Sequence, residues 1–385
     1  MCITDETGAD LVSNRRWYAA APRSGGRRPH EQRSARVADP GDAGGGRAAA
    51  RPACRTLSRT RSRSAPDPDQ SHPDPIGAAQ VLVVLGIDIG GSRTRGRLSE
   101  GGKILAEAAV DGANVTALPP QVVASRLKTL IDKLGLGQPP SPSGGGHGGW
   151  TVAACSAGAA GSEVPGAADR LAGILRELLP GSRIQVVHDA QLVLAAAKLN
   201  AGTAIIAGTG SVAYGKDGRG IELRIGGWGW LLGDEGSGVW IVREAAREVL
   251  RRVDDGRDPG PLSAALMKAC AVDQPLEIRR VLHATLEPEQ WAALAPIVFD
   301  VAASDPGAAG IVTGAAALLS DLGLSVHERL GKPGPIVLAG GLLRHQPRLE
   351  QAVRVRLQPH AQQVIKLEQP AVAGAVRLAE KLAAS

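Results

Sequence analysis

Apolar and polar positions along the chain form two similar series of elements. The first begins at VLVVLGIDIGG, where an apolar run leads into an Asp and two glycines and predicts a buried strand ending in a tight turn. Two strands joined by a Gly-Gly turn follow in RTRGRLSEGGKILAEAAV, then alternating helices and strands as far as VVHDAQ. The second runs from TAIIAGTGS through a hairpin at GKDGRG and several helices to PIVLAGG. This repeat of pattern predicts two α/β lobes with a cleft between them.

The pattern also divides the chain into segments. Residues 1–80 are rich in Arg, Pro, Gly, Ala and Ser, so they predict either a disordered tail or a start placed too far upstream, with the true start near Val81 or Val84. The first lobe is expected over residues 81–199 with a returning helix at 371–385, and the second over 200–370. GQPPSPSGGGHGG predicts a flexible surface loop.

Composition and charge exclude several classes of function. The net charge is +6, but residues 1–80 hold 13 Arg, no Lys and nine acidic residues, which leaves 31 basic and 29 acidic residues in the predicted lobes. A nearly neutral fold without a basic cluster among aromatics argues against nucleic acid as a partner. The four cysteines show no metal-ligand spacing, and no run of about 18 apolar residues predicts a membrane span. We therefore expect a soluble cytoplasmic protein without a membrane partner.

Two glycine-rich turns after apolar strands are candidates for phosphate binding. In GIDIGGSRT the backbone N–H groups of Gly90 and Gly91 and the hydroxyls of Ser92 and Thr94 are placed to approach phosphate oxygens. Asp88 precedes this turn and is a candidate to hold Mg²⁺ through water, because Mg²⁺ prefers oxygen ligands. AGTGS offers a second loop, with hydroxyls on Thr209 and Ser211. An ordinary hairpin turn explains either motif equally well when it is taken alone.

A third glycine pair and a histidine–aspartate pair also follow strands. In PIVLAGGLL, Gly340 and Gly341 would let an adenine or ribose lie against the chain, although a simple strand-to-helix turn is the alternative. In VVHDAQ, Asp189 is a candidate general base or the N-cap of the next helix. The ordinary pKa of a histidine makes His188 the more obvious candidate for a base. Strand alternation, however, predicts that the two side chains face opposite ways, and Asp189 is favoured as the base.

The stretch GWGWLLGDEGSGVW concentrates three of the six tryptophans beside one acidic pair. Its glycines expose backbone groups, and Asp234 is a candidate acceptor for substrate hydroxyls. Glu235 is expected to tie down the loop or cap the helix that begins near Gly238. Trp228, Trp230 and Trp240 either stack on a substrate or pack inside the protein, and packing is the commoner use.

Together these residues carry a family resemblance. Asp-x-Gly-Gly-Ser-x-Thr, AGTGS, GGWGxxxGDEGS and a late AGG resemble the N-acetylglucosamine kinase group of the BadF/BadG/BcrA/BcrD-type ATPases, within the actin, sugar-kinase and Hsp70 superfamily. The resemblance covers about Val81 to the C-terminus. It implies an α/β fold of two RNase H-like, actin-like lobes, with ATP and Mg²⁺ in the cleft between them.

The resemblance also implies roles for individual residues. Asp189 would take the proton from the sugar hydroxyl, and Asp88 would lie near the metal. The sugar would be contacted by Asn114, Ser211, Gly227, Gly229 and Asp234. ATP would be contacted by Gly90, Gly91, Ser92, Arg93, Thr94, Gly208, Thr209, Gly210, Gly340 and Gly341. Val212 stands where the animal enzymes have Asn, which leaves the sugar open.

The expected activity is transfer of phosphate from ATP to the 6-hydroxyl of an amino sugar, N-acetylglucosamine or glucosamine. The sequence leaves three alternatives. The first is a kinase of another sugar, such as N-acetylmuramic acid, and the second is a sugar-sensing regulator. The third is an ATPase activator of the 2-hydroxyacyl-CoA dehydratase or benzoyl-CoA reductase type, which holds an iron–sulfur cluster through cysteines. The sequence leaves homodimer formation open.

Overall fold

The computed structural model describes residues 81–136, 150–284 and 287–385, all within the compact unit His72–Ser385. The segment 1–80, predicted to be disordered or outside the true chain, and the predicted surface loop 137–149 lie outside the described residues. The fold is therefore built from the two predicted series of elements.

The first lobe is built on a five-stranded sheet in the order β3-β2-β1-β4-β5. β1 pairs antiparallel with β2 and β2 with β3, whereas β1–β4 and β4–β5 are parallel. Its apolar core is formed by one face of the sheet with helices α1 and α2. The strands are β1 Val81–Ile89, β2 Arg93–Glu100, β3 Lys103–Asp111, β4 Trp150–Ala159 and β5 Arg183–His188, and the helices are α1 Pro120–Lys133 and α2 Ala167–Leu178.

The second lobe repeats this topology. Its sheet has the order β10-β9-β6-β7-β8, with β6–β7 and β7–β8 antiparallel and β6–β9 and β9–β10 parallel. The strands are β6 Gly202–Ala207, β7 Ser211–Lys216, β8 Glu222–Gly226, β9 Ile336–Ala339 and β10 Val364–Lys366. Because each lobe is a three-stranded meander extended by two parallel strands, the two-lobe α/β fold is confirmed.

Helices of the second lobe and of the connections between lobes complete the fold. The connecting helix α3 Asp189–Ala196 leads from β5 to β6, and the last helix, α12 Val372–Ala384, returns to pack on β1, β4 and α3. Gly374 of α12 lies against the backbone of Leu192 in α3, where a Cβ would not fit. The others are α4 Gly238–Asp254, α5 Gly260–Cys270, α6 Pro275–Ala284, α7 Pro288–Ala293, α8 Ala295–Val301, α9 Pro306–Arg329, α10 Gly341–His345 and α11 Pro347–Leu357.

Helix α9 is long and apolar enough, by length and composition, to cross a membrane. The sequence analysis missed this property because Gly, Thr and Ser interrupt its apolar run. Ala308, Ala315 and Leu319 on its buried face belong to the core of the second lobe, and α9 packs on α11 and β6. Its apolar face is therefore satisfied by a protein core.

A buried ion pair ties α4 to the start of α9. The Arg252 guanidinium donates to both carboxylate oxygens of Asp305, at 2.9 and 2.7 Å, and both side chains are buried. Asp305 also accepts from the backbone N–H groups of Leu262 and Ala308, the second of which caps α9. These contacts hold the pKa of Asp305 well below its ordinary value, chiefly through Arg252. The pair thus fixes α4 relative to α9, and α4 also contacts the candidate site.

Candidate active site

A cleft of about 540 Å³ is lined by residues of both lobes. Its walls are the turn after β1, the loop after β3, the start of α3, the loop between β6 and β7, and the stretch after β8. Of the residues predicted for the site, the cleft is lined by Gly91, Ser92, Asn114, Asp189, Gly208, Thr209, Gly210, Ser211, Gly227, Gly229, Asp234 and Gly340. Segments far apart in sequence are therefore brought to one cavity.

A second, more apolar cavity of about 320 Å³ adjoins this cleft and shares Gly208, Thr209 and Glu289 with it. Its other walls include Ala292, Pro296 and Leu342, together with Gly341, beside which a Cβ would have open space. We call this cavity the apolar slot. Its mostly apolar walls beside a glycine-rich loop suit the apolar faces of a nucleobase. Gly341 thus lines this slot, whereas Gly340 lines the larger cleft.

The turn after β1 places Gly91 at the cleft, but Gly90, Arg93 and Thr94 make other contacts. Gly90 N–H donates to the carbonyl of Arg93 at 3.0 Å and closes the turn. Thr94 is fully buried, and its hydroxyl accepts from Ala113 N–H at 3.0 Å, so it supports the loop that carries Asn114. Arg93 lines a separate cavity beside β3. The predicted contacts of the Arg93 and Thr94 side chains with ATP are therefore corrected.

The same turn makes one contact across the cleft. The Ser92 hydroxyl donates to the Glu289 carboxylate at 3.2 Å, and Glu289 lies in the first turn of α7 in the second lobe. Because a carboxylate repels phosphate, Ser92 must leave Glu289 before it can bind a phosphate oxygen. Glu289 lies in an ordinary helix start, and nothing in its local sequence pattern points to the cleft.

The loop between β6 and β7 is held by the N-terminus of α4. Gly238 N–H donates to the carbonyl of Gly208 at 2.9 Å and Val239 N–H to that of Thr209 at 3.3 Å. These bonds use N–H groups that a helix start leaves without partners inside the helix. The loop carbonyls therefore point at α4.

Ser211 and Glu235 make contacts that differ in detail from those predicted for them. The Ser211 hydroxyl donates to the carbonyl of Glu235 at 2.7 Å, so its proton is used inside the protein and is not available to a ligand. Ser237, and not Glu235, caps α4, because its hydroxyl accepts from Trp240 N–H. Glu235 ties the loop down, as the other alternative had it, but through its backbone carbonyl.

Gly340 is needed for a contact within the chain. Its φ is +94°, and a Cβ there would collide with the backbone of Ala207 at the end of β6. The prediction that this glycine makes room for an adenine or ribose is therefore corrected, because the space is taken by β6. Gly341 keeps the predicted open face.

The histidine–aspartate pair differs from the sequence prediction. His188, and not Asp189, caps α3, because its Nδ1 accepts from Ala190 N–H at 3.1 Å. The two side chains do not face opposite ways: both line the cleft, and His188 Nδ1 lies 2.9 Å from Asp189 Oδ1. Strand alternation failed here because β5 ends at His188 and helical geometry begins at Asp189.

Asp189 has one carboxylate oxygen without a hydrogen-bond donor. Its Oδ1 is buried and has no hydrogen-bond donor among the described residues. His188 Nδ1 does not supply one, since a nitrogen that accepts from Ala190 N–H carries no proton to donate. A buried carboxylate oxygen without a donor is costly unless a ligand supplies the missing hydrogen bond.

Asp88 lies close enough to Asp189 for the two charges to interact. Burial, first, and the neighbouring Asp189 carboxylate, second, raise the pKa of Asp88 to about 6, while Arg95 opposes the shift. Two carboxylates that destabilise each other in a poorly solvated place are relieved by a divalent cation. Mg²⁺ commonly uses only one or two protein carboxylates together with substrate phosphates. The residues present therefore fit a magnesium ion held mainly at Asp88.

Asp234 and Asn114 face the cleft from opposite lobes. Asp234 has a left-handed φ of +56°, and its Oδ1 accepts from Ser211 N–H at 3.2 Å. Burial raises its pKa, and the Ser211 bond opposes the rise. The Asn114 carbonyl accepts from both the backbone N–H and the hydroxyl of Thr116, which leaves its amide N–H₂ to donate. The cleft thus offers a carboxylate acceptor on one side and an amide donor on the other.

The tryptophans of the GWGWLLGDEGSGVW stretch divide into two groups. Trp240 packs against the core of the second lobe, as predicted. Trp228 and Trp230 are 66% and 43% exposed, so the favoured packing alternative does not describe Trp228, whereas the Trp230 ring lies 6.2 Å from the buried Trp291 ring. Trp228 lines the cleft and carries the Arg224 guanidinium 5.2 Å above its ring. Such an exposed face suits the apolar side of a sugar ring.

Sequence reasoning missed an ion pair across the cleft. Arg224 of β8 donates to Glu163 of the first lobe at 2.7 Å, and both residues line the cleft. The His188 Nε2 lies 3.5 Å from the other Glu163 oxygen. Neither charge stands in a motif, since each belongs to an ordinary loop or strand end. Only the approach of the two lobes reveals this pair.

Two curated relatives of this chain are sugar kinases. The chain is 34% identical over 179 residues to an N-acetylmuramic acid/N-acetylglucosamine kinase from Clostridium acetobutylicum, covering 45% of this chain and 55% of that protein. It is 33% identical over 147 residues to an N-acetyl-D-glucosamine kinase from Dictyostelium discoideum, covering 36% and 46% respectively. The matches thus span about half the length of these curated relatives.

Solved structures and a family match extend the comparison to most of the chain. A candidate N-acetylglucosamine kinase from Chromobacterium violaceum superposes with a TM-score of 0.61 at 24% identity, covering 78% of this chain and 99% of that one. This likeness supports the two-lobe fold. The BadF/BadG/BcrA/BcrD ATPase family matches residues 85–379. The chain therefore belongs to the BadF/BadG/BcrA/BcrD ATPase family.

Proposed function

We propose that the protein is an ATP-dependent kinase that phosphorylates the 6-hydroxyl of an amino sugar, N-acetylglucosamine or glucosamine. A bond forms between the sugar oxygen and the γ-phosphorus as the bond from that phosphorus to the β–γ bridging oxygen breaks, and ADP leaves. Asp189 accepts the proton of the hydroxyl. Membership of an ATPase family and similarity to sugar kinases support this reaction.

The observation that carries the proposal is the unused oxygen of Asp189. A general base must lie within hydrogen-bond reach of the proton that it removes. Asp189 lines the cleft, and its Oδ1 is buried and lacks a donor among the residues that the structure describes. A sugar hydroxyl bound beside it would supply that donor and lie in place for attack.

The groups around Asp189 are suited to hold a sugar ring. Asn114 can donate to a ring hydroxyl and Asp234 can accept from one, and Gly227 and Gly229 line the same cleft. Val212 lines the same cleft and offers no hydrogen bond. It lies beside Gly227, whose hypothetical Cβ would be 3.2 Å from a Val212 methyl. We infer that an apolar part of the substrate, such as an acetyl methyl, faces Val212.

The phosphates are assigned to the two glycine-rich loops and the base to the apolar slot beside them. The N–H group of Gly91 and the hydroxyl of Thr209 are placed to donate to phosphate oxygens, whereas Gly90 N–H is used within the turn. Asp88 would hold Mg²⁺, which offsets negative charge on the phosphates in phosphoryl transfer. Closure of the lobes around these groups would exclude water that would otherwise hydrolyse ATP.

Asp234→Asn is expected to raise KM for the sugar about tenfold with little change in kcat. Asn tolerates the left-handed backbone and keeps an oxygen for Ser211 N–H, so the loop should persist. The variant replaces a charged acceptor by a neutral one, which weakens a hydrogen bond by about 1–2 kcal/mol. Steady-state kinetics with varied sugar measures this change.

The matched control for this prediction is Glu235→Gln, because the Glu235 side chain does not line the cleft. Its KM should equal that of the wild type. An unchanged KM in Asp234→Asn would remove Asp234 from the sugar site.

Asp88→Asn is expected to raise the free energy of unfolding by about 2–3 kcal/mol at pH 7.5 in buffer free of Mg²⁺ and nucleotide. The pKa of Asp88 is about 6 in the folded protein and near 4 in the unfolded chain, so ionisation costs more in the folded state. The stability of the wild type relative to the variant therefore falls as pH rises from 4 through 6. Chemical unfolding at pH 4 and 7.5 measures both values.

Asp111→Asn is the control, since Asp111 is exposed at the end of β3. This variant should show no pH-dependent increase in the free energy of unfolding. A gain in Asp88→Asn that is equally large at pH 4 would contradict the assigned cause.

An ADP-release assay across five sugars tests the proposed activity. Glucosamine, N-acetylglucosamine, N-acetylmannosamine, N-acetylmuramic acid and glucose would each be supplied with ATP and Mg²⁺. We expect the largest kcat/KM with an amino sugar and a product phosphorylated at the 6-position. Absence of sugar-dependent ADP release with all five would overturn the proposal.

N-acetylmuramic acid is the second candidate, and Arg224 favours it. This sugar carries a carboxylate, and Arg224, which lines the cleft beside Trp228, could bind it by exchanging its pairing with Glu163. The relative from Clostridium acetobutylicum is described as acting on both sugars. The same panel separates the two candidates.

The activator alternative is disfavoured by the burial of two cysteines. Cys155 lies fully buried in the core of the first lobe and Cys270 is buried in that of the second. Burial raises the pKa of the Cys155 thiol to about 12, which opposes the thiolate that a cluster ligand requires. Neither of these cysteines is placed to hold an iron–sulfur cluster at a subunit interface. The regulator alternative depends on the segment that precedes the lobes, and that segment lies outside the described residues.

A further inference from the structure

A second polar cavity lies beside the connecting helix. It has a volume of about 620 Å³ and shares no lining residue with the catalytic cleft. Its walls come from α3 and the segment after it, from the β7–β8 hairpin of the second lobe, and from α12, which packs on the first lobe. A ligand in this cavity would therefore contact elements attached to both lobes.

The cavity carries an excess of positive charge. Five basic side chains line it: Lys198, Lys216, Arg219, Arg377 and Lys381. Lys216 is paired with Glu222 at 2.9 Å, and Arg219 with Asp217 at 3.0 Å. Within the described part of the chain no carboxylate pairs with Lys198, Arg377 or Lys381. Three uncompensated cations on one cavity repel one another unless an anion lies between them.

The one acidic residue on the cavity wall does not oppose an anion strongly. The buried carboxylate of Asp217 accepts from Arg219 N–H, Arg219 Nε and Ile221 N–H, at 2.9, 3.0 and 2.8 Å. These bonds hold the pKa of Asp217 below its ordinary value and spread its charge into the hairpin. The uncompensated charge on the cavity is therefore positive.

The remaining walls suit a hydroxylated body. The Tyr214 side chain is buried and lines the cavity. Burial, first, and the Glu222 carboxylate that its hydroxyl faces, second, raise the pKa of the phenol. Gln191 and Asn200 add amide groups, while Leu194, Leu199 and Leu378 add apolar surface. The volume exceeds what a single phosphate requires and falls in the range of small-molecule sites.

We propose that this cavity is a second ligand site, which binds a phosphorylated small molecule. The phosphate group lies among Lys198, Arg377 and Lys381, and the hydroxylated part of the molecule lies toward Tyr214, whose hydroxyl oxygen can accept a hydrogen bond from it.

The position of Tyr214 connects this site to the catalytic cleft. Its ring stacks on His188, with centroids 6.3 Å apart and planes 5° from parallel, and His188 lies 2.9 Å from Asp189 Oδ1. Helix α3 carries Asp189 at one end and is followed by Lys198 at the other. Occupation of the cavity thus reaches the catalytic base through packed groups.

Calorimetric binding tests the proposal on the whole protein with the catalytic cleft filled by a saturating non-hydrolysable ATP analogue and N-acetylglucosamine. The probes are inorganic phosphate, glucosamine 6-phosphate and glucosamine. We expect glucosamine 6-phosphate to bind at least about tenfold more tightly than inorganic phosphate and glucosamine not to bind. If inorganic phosphate binds as tightly as glucosamine 6-phosphate, the assignment of a hydroxylated ligand body is overturned.

The variant Lys198→Ala/Arg377→Ala/Lys381→Ala is expected to weaken binding at least about tenfold, because charge-assisted hydrogen bonds to phosphate are lost. The matched control Lys103→Ala/Lys128→Ala/Arg176→Ala removes equal charge from exposed positions of the first lobe and should bind like the wild type. Tyr214→Phe, which keeps the stacked ring, should weaken glucosamine 6-phosphate but not inorganic phosphate. Absence of binding to the wild type, or equal binding by the cavity variant, would overturn the proposal.

Discussion

Asp189→Asn is expected to lower kcat by about 10²–10⁴, with a smaller change in KM for the sugar. The amide is nearly isosteric and keeps an oxygen beside His188, so the cleft should retain its shape. It cannot accept the hydroxyl proton as the carboxylate does, and the loss therefore falls on the chemical step. Steady-state kinetics measures kcat, and calorimetry with the sugar confirms that binding persists.

Asp169→Asn is the matched control for this prediction. Asp169 stands in the first turn of α2, as Asp189 stands in the first turn of α3, so both carboxylates meet a helix N-terminus. Asp169 does not line the cleft, and its variant should keep full activity. If Asp189→Asn phosphorylates the sugar at the wild-type rate, Asp189 is not the base.

Asp305→Ala is expected to lower the free energy of unfolding by about 3–5 kcal/mol. The substitution leaves the Arg252 charge buried without its partner and removes an acceptor from Leu262 N–H and Ala308 N–H. Because the pKa of Asp305 is held below its ordinary value, its stabilisation is complete above pH 4 and disappears as the pH falls through the folded pKa. The difference between wild type and variant should shrink in acid. Denaturant unfolding across pH measures it.

Two further variants separate the contributions at this site. Asp305→Asn keeps an oxygen for one of the two backbone N–H groups and should cost less than Asp305→Ala. Asp255→Ala breaks the Asp255–Arg257 ion pair, whose side chains are about half exposed, and should cost less than about 1 kcal/mol. Equal losses in Asp305→Ala and Asp255→Ala would contradict a structural role for the buried pair.

The succession of strands and glycine turns along the chain followed from local pattern. An apolar run that ends in Gly90–Gly91 or Gly208–Gly210 predicts a strand and a turn, because burial of a strand and freedom of a turn are both local properties of the residues. The same holds for the two antiparallel hairpins. The RNase H-like form of each lobe was implied by the family resemblance and not by the pattern.

The orientation of individual side chains did not follow from the sequence pattern. Thr94 stands in a phosphate-type motif, yet its hydroxyl supports the Asn114 loop. His188 was placed facing away from Asp189, yet both line the cleft. The reason is that a strand changes to a helix between these two residues, and the direction of a side chain at such a junction depends on the packing of α3 against α12.

The sequence by itself determined the two α/β lobes, the glycine turns, and Asp88, Asp189 and Asp234 as the acidic candidates. Only the tertiary structure decided that Arg224 meets Glu163, that Ser92 meets Glu289, and that Lys198, Arg377 and Lys381 share one cavity. Each of these pairs or groups joins segments far apart in the chain. Periodicity and turn chemistry record only interactions within a few residues, whereas these contacts arise from how one lobe packs against the other.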